Sequence, residues 1–136
     1  DGSILFSRQA LTFPLTIFQW FPSTNSSTPL TRFNEMFIEK CIMATPQEFW
    51  FAGANGDQIH GWYLPPVFAN TTTKPTKVPL AYLIHGGPQS SWADDWSYRW
   101  NPQIYAAHGF ATADIDFHGS QGYGQAFTDS IINDYG

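Results

Sequence analysis

The stretch Val78-Pro79-Leu80-Ala81-Tyr82-Leu83-Ile84-His85-Gly86-Gly87-Pro88 decides how the rest of this chain is read. An unbroken apolar run predicts a parallel strand covered on both faces, and the glycine pair behind it leaves bare backbone N–H groups at the carboxyl end of that strand. Acyl transfer needs such donors. Its tetrahedral intermediate puts negative charge on a former carbonyl oxygen, and each fixed N–H aimed there is worth about 2.7–4 kcal/mol. Pro88 has no N–H, so the candidate oxyanion donor is the amide of Gly87, which Pro88 is expected to hold in extended geometry. A Gly-Gly-Pro turn is also an ordinary exit from a sheet, so the surroundings must decide.

Downstream, Trp92, Trp96 and Trp100 recur at i, i+4 and i+8, which predicts one apolar stripe on a helix. Core packing is the plain reading of that stripe, and a pocket wall beside Gly87 is the other. Asn101 followed by Pro102 opens a second helix, and Gly109 closes it. Phe110–Phe117 then reads as a strand, and a helix between two strands implies a right-handed crossover within a parallel sheet. Asp114 and Asp116 share one face of that strand, where unpaired carboxylates are costly. They belong either at an open strand end near a site or on an edge strand. Phe127, Ile131 and Tyr135 predict a last amphipathic helix.

Upstream, Asn55-Gly56 between Phe49–Ala52 and Gln58–Tyr63 predicts a β-hairpin, because both residues tolerate positive φ. Asn70–Lys77 reads as a polar loop. Phe33, Phe37 and Cys41 recur at helical spacing, with Pro46 just beyond, so a short connecting helix is expected. Ile4–Phe6 and Thr16–Trp20 read as strands, and Pro22–Pro29 as a loop that marks a boundary.

The 136 residues amount to about one domain. Aromatic residues make up 18% and charged ones 12%, against about a quarter charged in ordinary soluble domains, so the chain expects partners that cover it. A net charge of −5 with only six Lys and Arg argues against a nucleic-acid binder. No apolar stretch nears the roughly 18 residues of a membrane span. Cys41 is the sole cysteine and is expected to be a buried, inert thiol. No spacing of His85, His108, His118 and the nearby aspartates matches a metal-ligand pattern, so no metal or cofactor is expected. The sequons Asn25-Ser26-Ser27 and Asn70-Thr71-Thr72 make Asn25 and Asn70 glycosylation candidates, which favours secretion.

Residues 80–135, from LAYLIHGGPQSSW through WSYRWNPQIYAAHGF to FHGSQGYGQAF, resemble the prolyl oligopeptidase family of serine peptidases, most of all its secreted fungal dipeptidyl peptidase V branch. The resemblance implies that residues 1–35 are the end of a β-propeller with a linker. Residues 36–136 would then be the N-terminal portion of an α/β-hydrolase domain, a hairpin followed by parallel strands. It implies peptide substrates, with Gly87 as one oxyanion donor and Gly86, Trp92 and Tyr123 near the substrate. It also implies that the nucleophilic serine, in a G-x-S-x-G turn, and then Asp and His come later than Gly136. Both ends are therefore expected to be cut, the chain's chief partner is expected to be the remainder of its own polypeptide, and the piece alone should not turn over peptides. Gly119-Ser120-Gln121-Gly122 imitates the nucleophile turn, but His118 stands where glycine is wanted. Only 16 residues follow Ser120 and none is His, so Ser120 reads as a turn residue. His85 is expected to bond across its own loop. Two further readings stay open at this level: an acylaminoacyl peptidase or esterase on the same fold, and a non-catalytic binding or antigenic segment.

Overall fold

Alternation in Ile4–Ala10 (β1) and Phe13–Phe21 (β2) makes an antiparallel hairpin, with Phe6 opposite Phe18. In the computed structural model, which describes residues 2–68 and 75–134, a third strand, Ser26–Pro29 (β3), continues this sheet along β2. That corrects the expected loop over Pro22–Pro29. Asn25 adopts a φ of 47° and Thr24 N–H donates to Phe21 O at 3.3 Å, so the chain reverses and its backbone pairs without any apolar pattern. The tip of β1–β2 does not stand apart. Leu11 is buried with Ala44, Leu64 and Ala106, its N–H donates to Asp94 Oδ1 at 2.7 Å, and its carbonyl accepts from Gln103 Nε2 at 3.3 Å.

The second sheet is built from Gln47–Ala52 (β4), Gln58–Leu64 (β5), Leu80–Leu83 (β6) and Ala111–Asp116 (β7), in the order β4-β5-β7-β6. The predicted hairpin is there: β4 and β5 are antiparallel, and the turn between them holds Asn55 at φ 60° and Gly56 at φ 83°. So is the crossover, because β6 and β7 run parallel with the helix Pro102–Ala107 (α2) between them. Asn101 caps α2 by accepting from Gln103 N–H at 3.0 Å, Pro102 takes the first position, and Gly109 follows at φ 85°.

Four expectations are corrected. The strand before His85 is not covered: among the described residues β6 has a neighbour on one side only, and Leu80, Tyr82 and Ile84 are 59, 47 and 65% exposed. The tryptophan stripe is not a helix, because Ser97 Oγ captures Arg99 N–H and Trp100 N–H while Asp116 captures Trp92 N–H, which diverts the backbone donors a helix would use. The helix near residue 35 shrinks to Glu35–Ile38 (α1) and buries nothing, so Cys41 is exposed rather than buried. Finally, Gln125–Asp129 (α3) ends before Ile131, while Tyr135 and Asn70 lie outside the described residues.

The resulting surface is large. A folded monomer of 15.3 kDa presents about 7,100 Å², whereas this fold presents 9170 Å², with Phe33, Met36 and Phe37 among its exposed apolar side chains. Among the described residues no helix is long and apolar enough to cross a membrane.

Candidate active site

The loop behind β6 turns at once. Gly87 has a φ of 136°, where only glycine sits without strain, and a Cβ there would stand 2.8 Å from Gln89 N. Gly87 is therefore not in the ordinary extended region expected next to Pro88; the Gly87–Pro88 peptide bond is cis, and beyond it Ser90 N–H reaches Pro88 O at 2.9 Å. Gly86 and Gly87 are exposed, and among the described residues nothing accepts the Gly87 N–H. Gly86 and Trp92 come together on the wall of one pocket of about 510 Å³, with His85, Ile84, Trp100 and Tyr105. Tyr123 does not join them; it lines another pocket, which shares Trp92 with the first.

Beneath the loop, β7 settles the question of the two aspartates. It is a central strand, so the edge alternative fails, and Asp116 lies at its carboxyl end. Asp116 is fully buried and surrounded by donors. Its Oδ1 accepts Trp92 N–H at 2.7 Å, and its Oδ2 faces His60 Nδ1 at 2.8 Å and accepts the Tyr123 hydroxyl. One carboxylate thus ties the loop after Gly87 to the loop that carries Tyr123, and Gln121 N–H to Ser90 O at 2.8 Å is a second tie. Burial, then the hydrogen bond and charge of Asp116, then Glu48 push the Tyr123 phenol above its ordinary value, so it stays protonated and donating.

Asp114 has none of this. It is fully buried, neither carboxyl oxygen has a partner among the described residues, and burial followed by the charge of Asp116 raises it to about 7. The indole N–H groups of Trp62, Trp92 and Trp96 are also buried without an acceptor there.

Ser120 and His85 form a pair that looks catalytic by distance, with Ser120 Oγ 2.8 Å from His85 Nε2. The geometry disqualifies it. Ser120 is fully buried, and the nearest carboxylate, Asp116 Oδ1 at 3.8 Å, lies on the same ring nitrogen as the serine, while Nδ1 faces Gly86 O at 3.1 Å. A base needs its carboxylate on the opposite nitrogen from its serine. The pair instead braces the loop, with the His85 ring stacked on Phe117 at 4.4 Å. Gly119 beside it makes room for Ile131, whose Cδ1 would lie 2.4 Å from a Cβ.

Residues that sequence reasoning passed over complete the site. His60 sits opposite Asp116 in the β5–β7 register, its Nε2 is 3.3 Å from Glu48 Oε1, and Trp50 packs on its ring at 4.8 Å. Once the register is known, His60, Trp62, Asp114 and Asp116 fall on one face, but no local pattern announces that register.

A strand, a glycine loop, a crossover helix and a strand ending in a clamped carboxylate are the parts of an α/β fold with a mixed sheet. Residues 96–136 match the family model described as the prolyl oligopeptidase family, and the chain belongs to that family. It is 51% identical to dipeptidyl-peptidase 5 of Schizosaccharomyces pombe over 90 residues, 66% of this chain and 13% of that protein. It is 47% identical to the probable dipeptidyl-peptidase 5 of Aspergillus clavatus over 138 aligned positions, 100% of this chain and 18% of that protein. The chain therefore spans less than a fifth of the length of these curated relatives. Among solved structures, the Pyrococcus horikoshii acylaminoacyl peptidase superposes with a TM-score of 0.78 at 23% identity, over 96% of this chain and 19% of that one, which is a likeness of fold.

Proposed function

We propose that this chain supplies one half of the oxyanion hole of a secreted serine-type dipeptidyl peptidase, which hydrolyses peptide bonds near the amino terminus of peptides. Gly87 donates its N–H to the carbonyl oxygen of the scissile bond as that oxygen becomes anionic. The attacking serine, and the histidine and aspartate that move its proton, belong to the same polypeptide beyond Gly136, and residues 1–35 to a propeller end. The 136 residues alone then have no turnover. The observation that carries this reading is the unengaged Gly87 amide, exposed behind a parallel strand and next to the pocket that Gly86 and Trp92 wall.

The test is Gly87→Ala in the full-length protein. A Cβ 2.8 Å from Gln89 N displaces the amide, and kcat on a dipeptidyl p-nitroanilide is expected to fall by about 10²–10³ with little change in KM. Turnover at the wild-type rate sinks the assignment. Secretion belongs to the same reading, and Asn25, exposed in its turn, is expected to carry a glycan; the check is a mass loss on treatment with peptide-N-glycosidase.

A further inference from the structure

The segment from Pro88 to Trp100 lies outside every helix and strand, so ties to other parts of the chain decide where it sits. Three long-range ties fall on alternate residues. Ser90 O accepts Gln121 N–H at 2.8 Å, and Trp92 N–H donates to Asp116 Oδ1 at 2.7 Å; both reach β7 or the loop after it. The third goes the other way. Asp94 Oδ1 accepts Leu11 N–H at 2.7 Å, across 83 residues of sequence, at the tip of the β1–β2 hairpin.

That tip is a firm anchor. Leu11 is 2% exposed, and its carbonyl is held by the buried Gln103, whose Oε1 accepts Ala44 N–H at 2.8 Å and whose Nε2 also donates to Ala44 O at 2.9 Å. Gln103 lies in the first turn of α2, so the tip is fixed to the crossover itself. Satisfying a buried N–H is one use for Asp94. A neutral acceptor of the kind Gln103 provides would do that without penalty, whereas the Asp94 charge, after burial, pushes the neighbouring Asp95 carboxyl up. What a carboxylate adds is a bond roughly twice as strong as a neutral one, which suits a tie that holds a loop.

We propose that Asp94 is a positioning residue for the Gly87 amide: by gripping the β1–β2 tip it fixes the far end of the loop that begins at Gly86, so that the first sheet places the oxyanion donor. The inference rests on the peptidase reading, and Asp94 itself touches no reacting atom. β6 holds the loop before Gly87, and the ties at Ser90, Trp92 and Asp94 hold it behind.

The experiment uses the full-length protein and reads the tie with and without turnover. Amide hydrogen exchange, resolved to Leu11, Ser90 and Trp92, comes first. In Asp94→Ala all three are expected to exchange about tenfold faster, and in Asp94→Asn, whose carboxamide oxygen still accepts, to stay near wild type. Acceleration at Leu11 alone overturns the proposal, because Asp94 then serves the hairpin tip and not the loop. Kinetics on a dipeptidyl p-nitroanilide come second. Asp94→Ala is expected to lower kcat about tenfold with little change in KM, and Asp94→Asn to recover most of that loss. A raised KM at unchanged kcat overturns the proposal. In a Gly87→Ala background, Asp94→Ala should lower kcat no further, since the amide it acts through is already displaced; a second tenfold fall places its action elsewhere and also overturns the proposal. Should Asp94→Ala fail to fold, Asp94→Leu, which keeps the bulk and removes the acceptor, is read in the same way. Absence of any turnover in the wild type sinks the peptidase reading instead, and hydrogen exchange then decides the tie by itself.

Discussion

The strands β6 and β7 lie side by side in register, Leu80 to Leu83 against Ala111 to Asp114, and their fates are opposite. β6 is wholly apolar and half exposed; β7 carries two aspartates and is buried almost throughout. Hydropathy alone would have exchanged them. What separates them is position: β7 has β5 and β6 on its two edges and α2 against it, while among the described residues β6 pairs with β7 alone. Burial here is a property of the place in the sheet, and side chains adapt to the place. Asp116 adapts by gathering donors, Asp114 by holding its proton up to about pH 7.

Removing the adaptation should break β7 first. Asp116→Ala leaves Trp92 N–H, His60 and the Tyr123 hydroxyl without their shared acceptor, and breaking a buried charged cluster of this kind costs about 3–5 kcal/mol. Urea unfolding followed by tryptophan fluorescence measures it. A loss below about 1 kcal/mol would mean that the carboxylate does not clamp the two loops.

The second aspartate should act through pH. A carboxyl raised from 3.8 to about 7 in the folded state binds its proton more tightly there than in the unfolded chain, so stability falls as pH rises through that interval. The favourable contribution is fully present below 3.8 and gone above about 7. Asp114→Asn, neutral at every pH, is expected to flatten this slope, read as the difference in urea midpoint between pH 5 and pH 8. An unchanged slope would assign the pH dependence to other groups.

The same contrast explains what could be read from residue order alone. Asn101-Pro102 with Gly109, and Asn55-Gly56, are legible because cap, first turn and positive φ are decided within a few residues. The glycine loop behind a parallel strand is legible for the same reason. The tryptophan spacing misleads, because i, i+4 is satisfied equally by a loop whose N–H groups are captured by Ser97 and Asp116. Covering of β6 also misleads, because an apolar run fits a buried strand and this exposed edge strand alike, and only the order of the sheet separates them. His60 stays hidden because its partner lies 56 residues away and only the β5–β7 register joins them. Ser26–Pro29 is missed because an exposed edge strand needs no apolar pattern to pair.

The smallest expected effect lies on β6. If place rather than side-chain chemistry governs burial, Ile84→Lys just past the end of this strand should change the stability of the 136-residue polypeptide by no more than about 0.5 kcal/mol. Ile84 is 65% exposed, and the outer edge of β6 carries no partner among the described residues. An open apolar edge is a template for pairing with another copy, and a lysine there disfavours that pairing. Static light scattering of the isolated polypeptide should therefore show less self-association in Ile84→Lys than in the parent, with unfolding midpoints that agree. A large drop in stability would show that Ile84 is held by contacts within the chain, and β6 would then be buried on its own account, as β7 is.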